Sequence, residues 1–308
     1  MKCIFFGSPD FAVASLEALL KSKHQVVGVI TQPDRPSGRG LKLEAPEVKK
    51  MALQAGLPVF QPEKVNSEAT HAWLSKLNPD IFAVVAYGEF LGEKLLKFCS
   101  KPPVNVHPSL LPDLRGAAPM QWALLRGYKK SGVSTQFMVK EMDAGDTLLQ
   151  IETEILENEN AKELHDRLKL VGADLLVKTL DGLERGSITP QVQDSSRATL
   201  APLLNKEQGL IDWQKSTAAE IHNQIRGLYP WPSAYCTIEG KRVKILSSRI
   251  PPKETCPMKK LSPGEFMLYG DNVFFQASDS FLEILNLQPE GKRPMLPRDF
   301  VNGMKGNA

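Results

Sequence analysis

The chain has 308 residues, 42% hydrophobic and 24% charged, an ordinary globular composition with length enough for one large core or two unequal ones. A net charge of +3 is too small to mark a nucleic-acid binder, yet it is unevenly placed: residues 205–308 hold 14 Lys and Arg against 11 Asp and Glu, and residues 1–204 hold 24 of each. The longest apolar run, 81–87, has seven residues, where a membrane span needs roughly 18 or more; with no signal-peptide core after Met1, a cytoplasmic protein is expected.

Residues 2–6 read as a buried strand. Ser8, Pro9 and Asp10 then supply an N-cap, a proline at the first helical position and an early acid. Ala12, Leu16, Leu19 and Leu20 share one face of the helix that follows, and 26–30 is the next strand. The unit recurs: a helix from Pro46 stopped by Gly56, a strand at 57–60, a helix at 67–77, a strand at 81–86, a helix at 89–98 and a strand at 103–107. Such alternation predicts an α/β fold with a doubly wound, mostly parallel sheet. Strands at 132–140 and 147–153 and a long amphipathic helix at 161–185 follow. Periodicity disappears at 186–208, the composition of an interdomain linker. After a helix at 217–227, short alternating segments at 234–238, 242–250, 265–268, 272–276 and 281–287 suggest a small β-barrel. The expected division is a domain at 1–188, a linker at 189–208 and a second domain at 209–308.

Four cysteines stand far apart with no C-x-x-C pair, which indicates neither a disulfide framework nor a zinc knuckle. After the first strand the chain offers one glycine where a dinucleotide fingerprint needs three, and Pro9 and Asp10 remove a donor and add negative charge where phosphate would sit. A nicotinamide or flavin enzyme is not expected. Asn105 and His107, two apart on a strand, project to one face at its C-terminal end, the edge where open α/β sheets bind ligands. Alone the pair reads first as strand-end hydrogen bonding to local backbone groups. About 36 residues on, Asp143 and Asp146 flank Gly145 in a turn-like stretch, and either could hold a strand-end imidazole. The Pro- and Gly-rich loop after the second strand carries five Lys and Arg against two Glu from 35 to 50, which suits either solvent or a phosphate backbone.

Taken together, Gly-Ser-Pro-Asp-Phe-Ala at 7–12, the loop at 32–40, Val-Val-Ala-Tyr-Gly at 84–88, Asn-Val-His-Pro-Ser-Leu-Leu-Pro at 105–112, Arg-Gly-Ala-Ala-Pro at 115–119, Asp-Ala-Gly-Asp at 143–146, Ile-Asp-Trp at 211–213 and Pro-Trp-Pro at 230–232 resemble the methionyl-tRNA formyltransferase family. The resemblance implies a Rossmann-like catalytic domain followed by an OB-like, tRNA-binding barrel. It also implies formyl transfer from 10-formyltetrahydrofolate, a co-substrate, to methionyl initiator tRNA by a monomer, with no metal. Carried over by position, Asn105, His107 and Asp143, rather than Asp146, match the catalytic trio. Ser109, Leu110, Leu111 and Pro112 match the folate-contacting loop, and Ala86, Tyr87 and Gly88 match a wall of the pterin pocket. Arg35, Arg39 and Lys42 fall in the insertion that meets the acceptor stem, with Arg39 at its key cationic position.

Two positions depart from the family's pattern. Leu203 stands in the linker where a lysine is expected, which removes one cationic contact, and Pro108 replaces a glycine found in several members. Formyltetrahydrofolate hydrolases and sugar-nucleotide formyltransferases share the Asn/His/Asp site. The cationic loop at 32–50 favours a nucleic-acid acceptor over theirs.

Overall fold

The structure, a computed structural model, describes residues 1–37, 42–259 and 261–305. In chain order come β1 (Lys2–Gly7), α1 (Asp10–Leu20), β2 (Gln25–Ile30), β3 (Arg35–Ser37), β4 (Lys42–Glu44), α2 (Glu47–Gln54), β5 (Val59–Phe60), α3 (Glu68–Leu77), β6 (Ile81–Val85), α4 (Glu93–Leu96) and β7 (Val104–His107). They continue as α5 (Pro119–Leu125), β8 (Lys130–Phe137), β9 (Thr147–Glu154), α6 (Ala161–Arg185), α7 (Ala218–Gly227), β10 (Ala234–Ile238), β11 (Lys241–Arg249), β12 (Phe266–Tyr269), β13 (Asn272–Gln276), β14 (Phe281–Pro289) and α8 (Pro297–Lys305). Two units emerge: Met1–Gly116 with Ser131–Thr153 and His165–Ala201, and Ala117–Lys130 with Glu154–Leu164 and Pro202–Ala308.

In the first unit the seven strands lie in the order β5-β2-β1-β6-β7-β8-β9. Pairing is parallel from β5 to β7, and β8 runs antiparallel to β7. The chain winds outward from β1 to β2 and β5, then returns beside β1 as β6, so the order reverses between β1 and β6. In sheets of this kind ligands settle outside the strand ends at that reversal. Gly7, which ends β1, is fixed by packing: a Cβ there would lie 2.7 Å from the Phe5 ring and 2.8 Å from the Ala12 methyl. Strand and helix could not approach so closely with any larger residue.

Ser8 is not the cap of α1, as its position predicts. The N-cap is Pro9, with no side-chain bond. The Ser8 hydroxyl instead accepts from the Gln32 amide at 3.1 Å and donates to the Tyr87 carbonyl at 3.3 Å, tying together the chain leaving β1, β2 and β6. The helix expected at 89–98 shrinks to the four residues of α4, because Glu89 is drawn to the Val65 amide and the Gly92 amide to Asn66. The residues at 189–201 are bonded into this unit: Gln191 exchanges backbone bonds with Thr147, and Arg115 with Thr199 and Ala201. Burial pushes the Cys3 thiol up to about 12 and that of Cys99 to about 12, and the four cysteines are unpaired.

The second unit carries a separate antiparallel sheet in the order β10-β11-β14-β13-β12, built from the five segments expected of a small β-domain. Its core gathers Ile211, Trp213, Ile221, Ile225, Phe275 and Leu282. On α7, which begins with a Thr217/Glu220 capping box, buried Arg226 donates to the Leu156 and Glu159 carbonyls, and His222 meets the Glu157 carbonyl at 3.2 Å. Burial lowers the His222 pKa. Helices α5 and α8 were not expected from periodicity, although Pro119 and Pro297 each stand at the first helical position. Among the described residues no helix is long and apolar enough to cross a membrane.

Candidate active site

Strand β7 brings Asn105 and His107 to the C-terminal edge of the sheet on one face. Its antiparallel neighbour β8 sets Gln136 opposite Asn105 and Ser134 opposite His107. His107 is 4% exposed. Its Nε2 lies 3.0 Å from the Leu114 carbonyl oxygen and its Nδ1 lies 3.6 Å from Asp143 Oδ2. A carbonyl only accepts, so Nε2 carries a hydrogen towards Leu114 and Nδ1 is the nitrogen left to face the carboxylate. Leu114 adopts a left-handed φ of 60°, an uncommon backbone for leucine, and this turns its carbonyl to the ring.

Asp143 is itself left-handed, at φ 52°. Its carboxylate accepts from the Gly116 amide at 2.9 Å on Oδ2 and from Gln136 Nε2 at 2.9 Å on Oδ1. Asp146 instead offers its backbone carbonyl to the Phe137 amide. Of the two acids the sequence left open, Asp143 is the one placed against His107. Asn105 is half-buried, and among the described residues its side-chain amide has no hydrogen-bond partner. A free donor, a buried imidazole and an anchored carboxylate are what acyl transfer to an amine needs: stabilisation of a developing oxyanion and a route for a proton.

The loop at 108–112 is held from within. Ser109 is 1% exposed, donates to the Asp113 carbonyl at 2.6 Å and accepts on its own carbonyl from Ser134. The Leu111 amide donates to Ser134 and its carbonyl accepts from Gln150; Leu110 and Pro112 are half-buried. At the end of β6, beside the reversal of strand order, Ala86 and Gly88 are exposed with φ of 47° and 90°. Between them Tyr87 is buried, its hydroxyl has no partner among the described residues, and burial raises its pKa. Arg35 and Lys42 lie exposed on the β3–β4 hairpin, where Arg35 makes a loose 3.6 Å ion pair with Glu63. Arg39 lies outside the described residues.

Among the described residues two groups of side chains could hold a metal ion, His24/Asp181/Glu184 and Asp10/His165/Asp166. In each a lysine already lies against the carboxylates, Lys23 2.6 Å from Glu184 and Lys169 2.6 Å from Asp10. Neither group includes the trio.

Sequence reasoning missed Gln136 and Gln193. Gln136 becomes visible only through the β7–β8 register, and Gln193 falls in the aperiodic stretch, where extended chain pinned by side chains leaves no pattern. Gln193 Nε2 donates to the carbonyls of Asp143 at 2.9 Å and Gly145 at 2.6 Å. The same turn requires its glycine: a Cβ on Gly145 would stand 1.8 Å from the Phe137 carbonyl oxygen. Gly145→Ala is therefore expected to destabilise the protein by about 1–3 kcal/mol through forced backbone displacement, measured by urea denaturation. An unchanged midpoint would show that the turn yields freely.

Residues 1–180 match the family model described as Formyl transferase, and residues 203–305 match Formyl transferase, C-terminal domain. The chain is 45% identical over 305 residues to the methionyl-tRNA formyltransferase of Acidobacterium capsulatum, covering 98% of this chain and 96% of that one. It is 42% identical over 304 residues to that of Bacillus licheniformis, covering 98% and 95%. In fold it is similar to WlaRD, a sugar 3N-formyl transferase solved in the presence of dTDP and 5-N-formyl-THF, with a TM-score of 0.69, 20% identity and coverage of 95% and 98%. The identity of the curated relatives extends over nearly the whole of both chains, and the chain belongs to the methionyl-tRNA formyltransferase family.

Proposed function

We propose that the chain transfers the formyl group of 10-formyltetrahydrofolate to the α-amine of methionine on initiator tRNA, acting as a cytoplasmic monomer. The observation that carries this reading is identity above 40% along nearly the full length of methionyl-tRNA formyltransferases, through both family models. The sugar formyl transferases share the fold at 20% identity.

In the reaction the amine attacks the formyl carbon, an oxyanion develops, the bond to the folate nitrogen breaks, and the attacking nitrogen loses a proton while the leaving nitrogen gains one. An α-amine has a pKa of about 7.7–8.0, so a useful fraction is an uncharged nucleophile near neutral pH. The Asn105 amide, free of partners among the described residues, donates to the oxyanion. His107 assists there or carries the proton, and Asp143 completes the donor requirement of Nδ1 when the ring is cationic.

Two features of the strand ends support a flat polar co-substrate beside Ala86, Tyr87 and Gly88. Among the described residues the buried Tyr87 hydroxyl has no partner, and none lies within 4 Å of where a Gly88 Cβ would stand. Leu110 and Pro112, half-buried, supply apolar surface over the buried Leu111, with Ser109 holding their loop in shape. The first unit, with 189–201 bonded into it, is assigned the chemistry, and 209–308, with its excess of Lys and Arg, the tRNA. Arg35, Arg39 and Lys42 complement the phosphate backbone.

Purified protein supplied with 10-formyltetrahydrofolate and methionyl initiator tRNA is expected to yield formylmethionyl-tRNA. Activity on free methionine, a nucleotide sugar or water, with none on the charged tRNA, would overturn the assignment.

A further inference from the structure

We propose that Arg115, Gln193 and Gln136 form a one-way hydrogen-bond relay that orients the Asp143 carboxylate towards His107, which makes Gln193 a positioning residue for formyl transfer; this rests on the function proposed above. The Arg115 guanidinium donates through Nε at 3.1 Å and a terminal nitrogen at 2.8 Å to Gln193 Oε1. The two hydrogens of Gln193 Nε2 serve three acceptors, the carbonyls of Gly145 at 2.6 Å and Asp143 at 2.9 Å and Gln136 Oε1 at 3.2 Å, so the Gln136 bond shares its hydrogen with one of the carbonyls. Gln136 Nε2 then donates to Asp143 Oδ1. Gln136 is 2% exposed and Gln193 8% exposed, so water is a poor substitute for these partners.

The polarity of the chain is dictated by its ends. A guanidinium can only donate and an ionised carboxylate can only accept, whereas each amide between them has one accepting and one donating end. With Arg115 at one end, Gln193 must turn its oxygen outward and its nitrogen inward. Gln136 must then do the same, and a donor is delivered to Asp143 Oδ1. Reversing either amide sets like against like twice. The Gly116 amide, next to Arg115, holds Oδ2, so one short segment fixes both carboxylate oxygens, one directly and one through the relay. Oδ2, with one lone pair still free, is the oxygen facing His107 Nδ1.

Gln193→Glu separates orientation from packing. The carboxylate keeps the shape of the side chain and its contact with Arg115, but has no hydrogen to donate to Gln136 or to the Asp143 and Gly145 carbonyls. In formyl transfer from 10-formyltetrahydrofolate to methionyl initiator tRNA, kcat is expected to fall about tenfold or more, equivalent to about 1.4 kcal/mol at the transition state. KM for both substrates should stay within about twofold. Gln193→Met, neutral and similar in volume, should show the same split and serves as the second variant if the glutamate impairs folding. In an Asp143→Ala background either substitution should change kcat by less than about twofold, since a residue acting through Asp143 has nothing left to act on.

An independent arm uses no turnover: in protein labelled with 15N-histidine, the ring signals of His107, assigned by their loss in His107→Ala, should shift in Gln193→Glu and Gln193→Met. Wild-type kcat in Gln193→Glu, an equal loss of kcat in the Asp143→Ala background, or unmoved His107 signals would each overturn the relay. A wild-type protein inactive on charged tRNA would overturn the functional reading instead, and the histidine signals would still decide the relay.

Discussion

His107→Ala is expected to lower kcat for methionyl-tRNA formylation at least about a hundredfold, the lower end of what a positioned acid or base contributes. The ring stands between two acceptors, the Leu114 carbonyl and Asp143, and only its protonated form donates to both at once. At 3.6 Å the Nδ1 contact is longer than a hydrogen bond, so a modest approach would complete it as the ring gains a proton in the reaction. Alanine removes the proton carrier and also strands the buried Leu114 carbonyl, a loss of about 1–3 kcal/mol of stability. The measurement is therefore kcat per folded molecule, with the folded fraction fixed by thermal melting. A rate within about threefold of wild type would remove His107 from the mechanism.

Most of the strand and helix order of the first unit was legible because parallel sheets demand it: buried strands such as 81–85 are apolar without interruption, and the helix at 161–185 repeats its apolar face over many turns. That Asn105 and His107 share a strand face was legible from their spacing, whereas Asp143 was singled out from Asp146 only by the family resemblance. What escaped was contact between segments distant in sequence. Ser8 has the composition of a cap, yet it is consumed by strand ends 24 and 79 residues away. Gln193 looks like linker, yet it bonds residues about fifty positions earlier. No local pattern encodes such pairings, because a glutamine in extended chain looks the same whether it faces water or a carboxylate. The antiparallel β8 was equally hidden: its apolar pattern announces a strand but not a direction.

The same physics separates the two expectations about charge. A +3 protein owes little to its global field, and the exposed charges of Arg35 and Lys42 reach little beyond a Debye length of about 8 Å at physiological salt. The Asp143 carboxylate instead takes neutral donors, the Gln136 side-chain amide and the Gly116 backbone amide, with Gln193 behind Gln136. These dipoles hold a charge that stands before the reaction, whereas the Asn105 amide, with no partner among the described residues, is left to meet charge that appears only during it.

Asn105→Ala tests that arrangement where its effect is expected to be largest. The side-chain amide has no protein partner among the described residues, so removing it strands no buried group, and the melting temperature should move by no more than about 1–2 °C. The loss should fall almost wholly on the transition state. Removing a single oxyanion donor lowers kcat by about 10²–10³, or about 2.7–4 kcal/mol, and KM for both substrates should change little because the ground-state formyl oxygen carries little charge. Asn105→Asp should be no better, since an ionised carboxylate replaces the donor with an acceptor and repels the oxyanion. If instead kcat holds while KM for either substrate rises, Asn105 binds that substrate in its ground state, and the oxyanion must find its donors elsewhere on the strand edge.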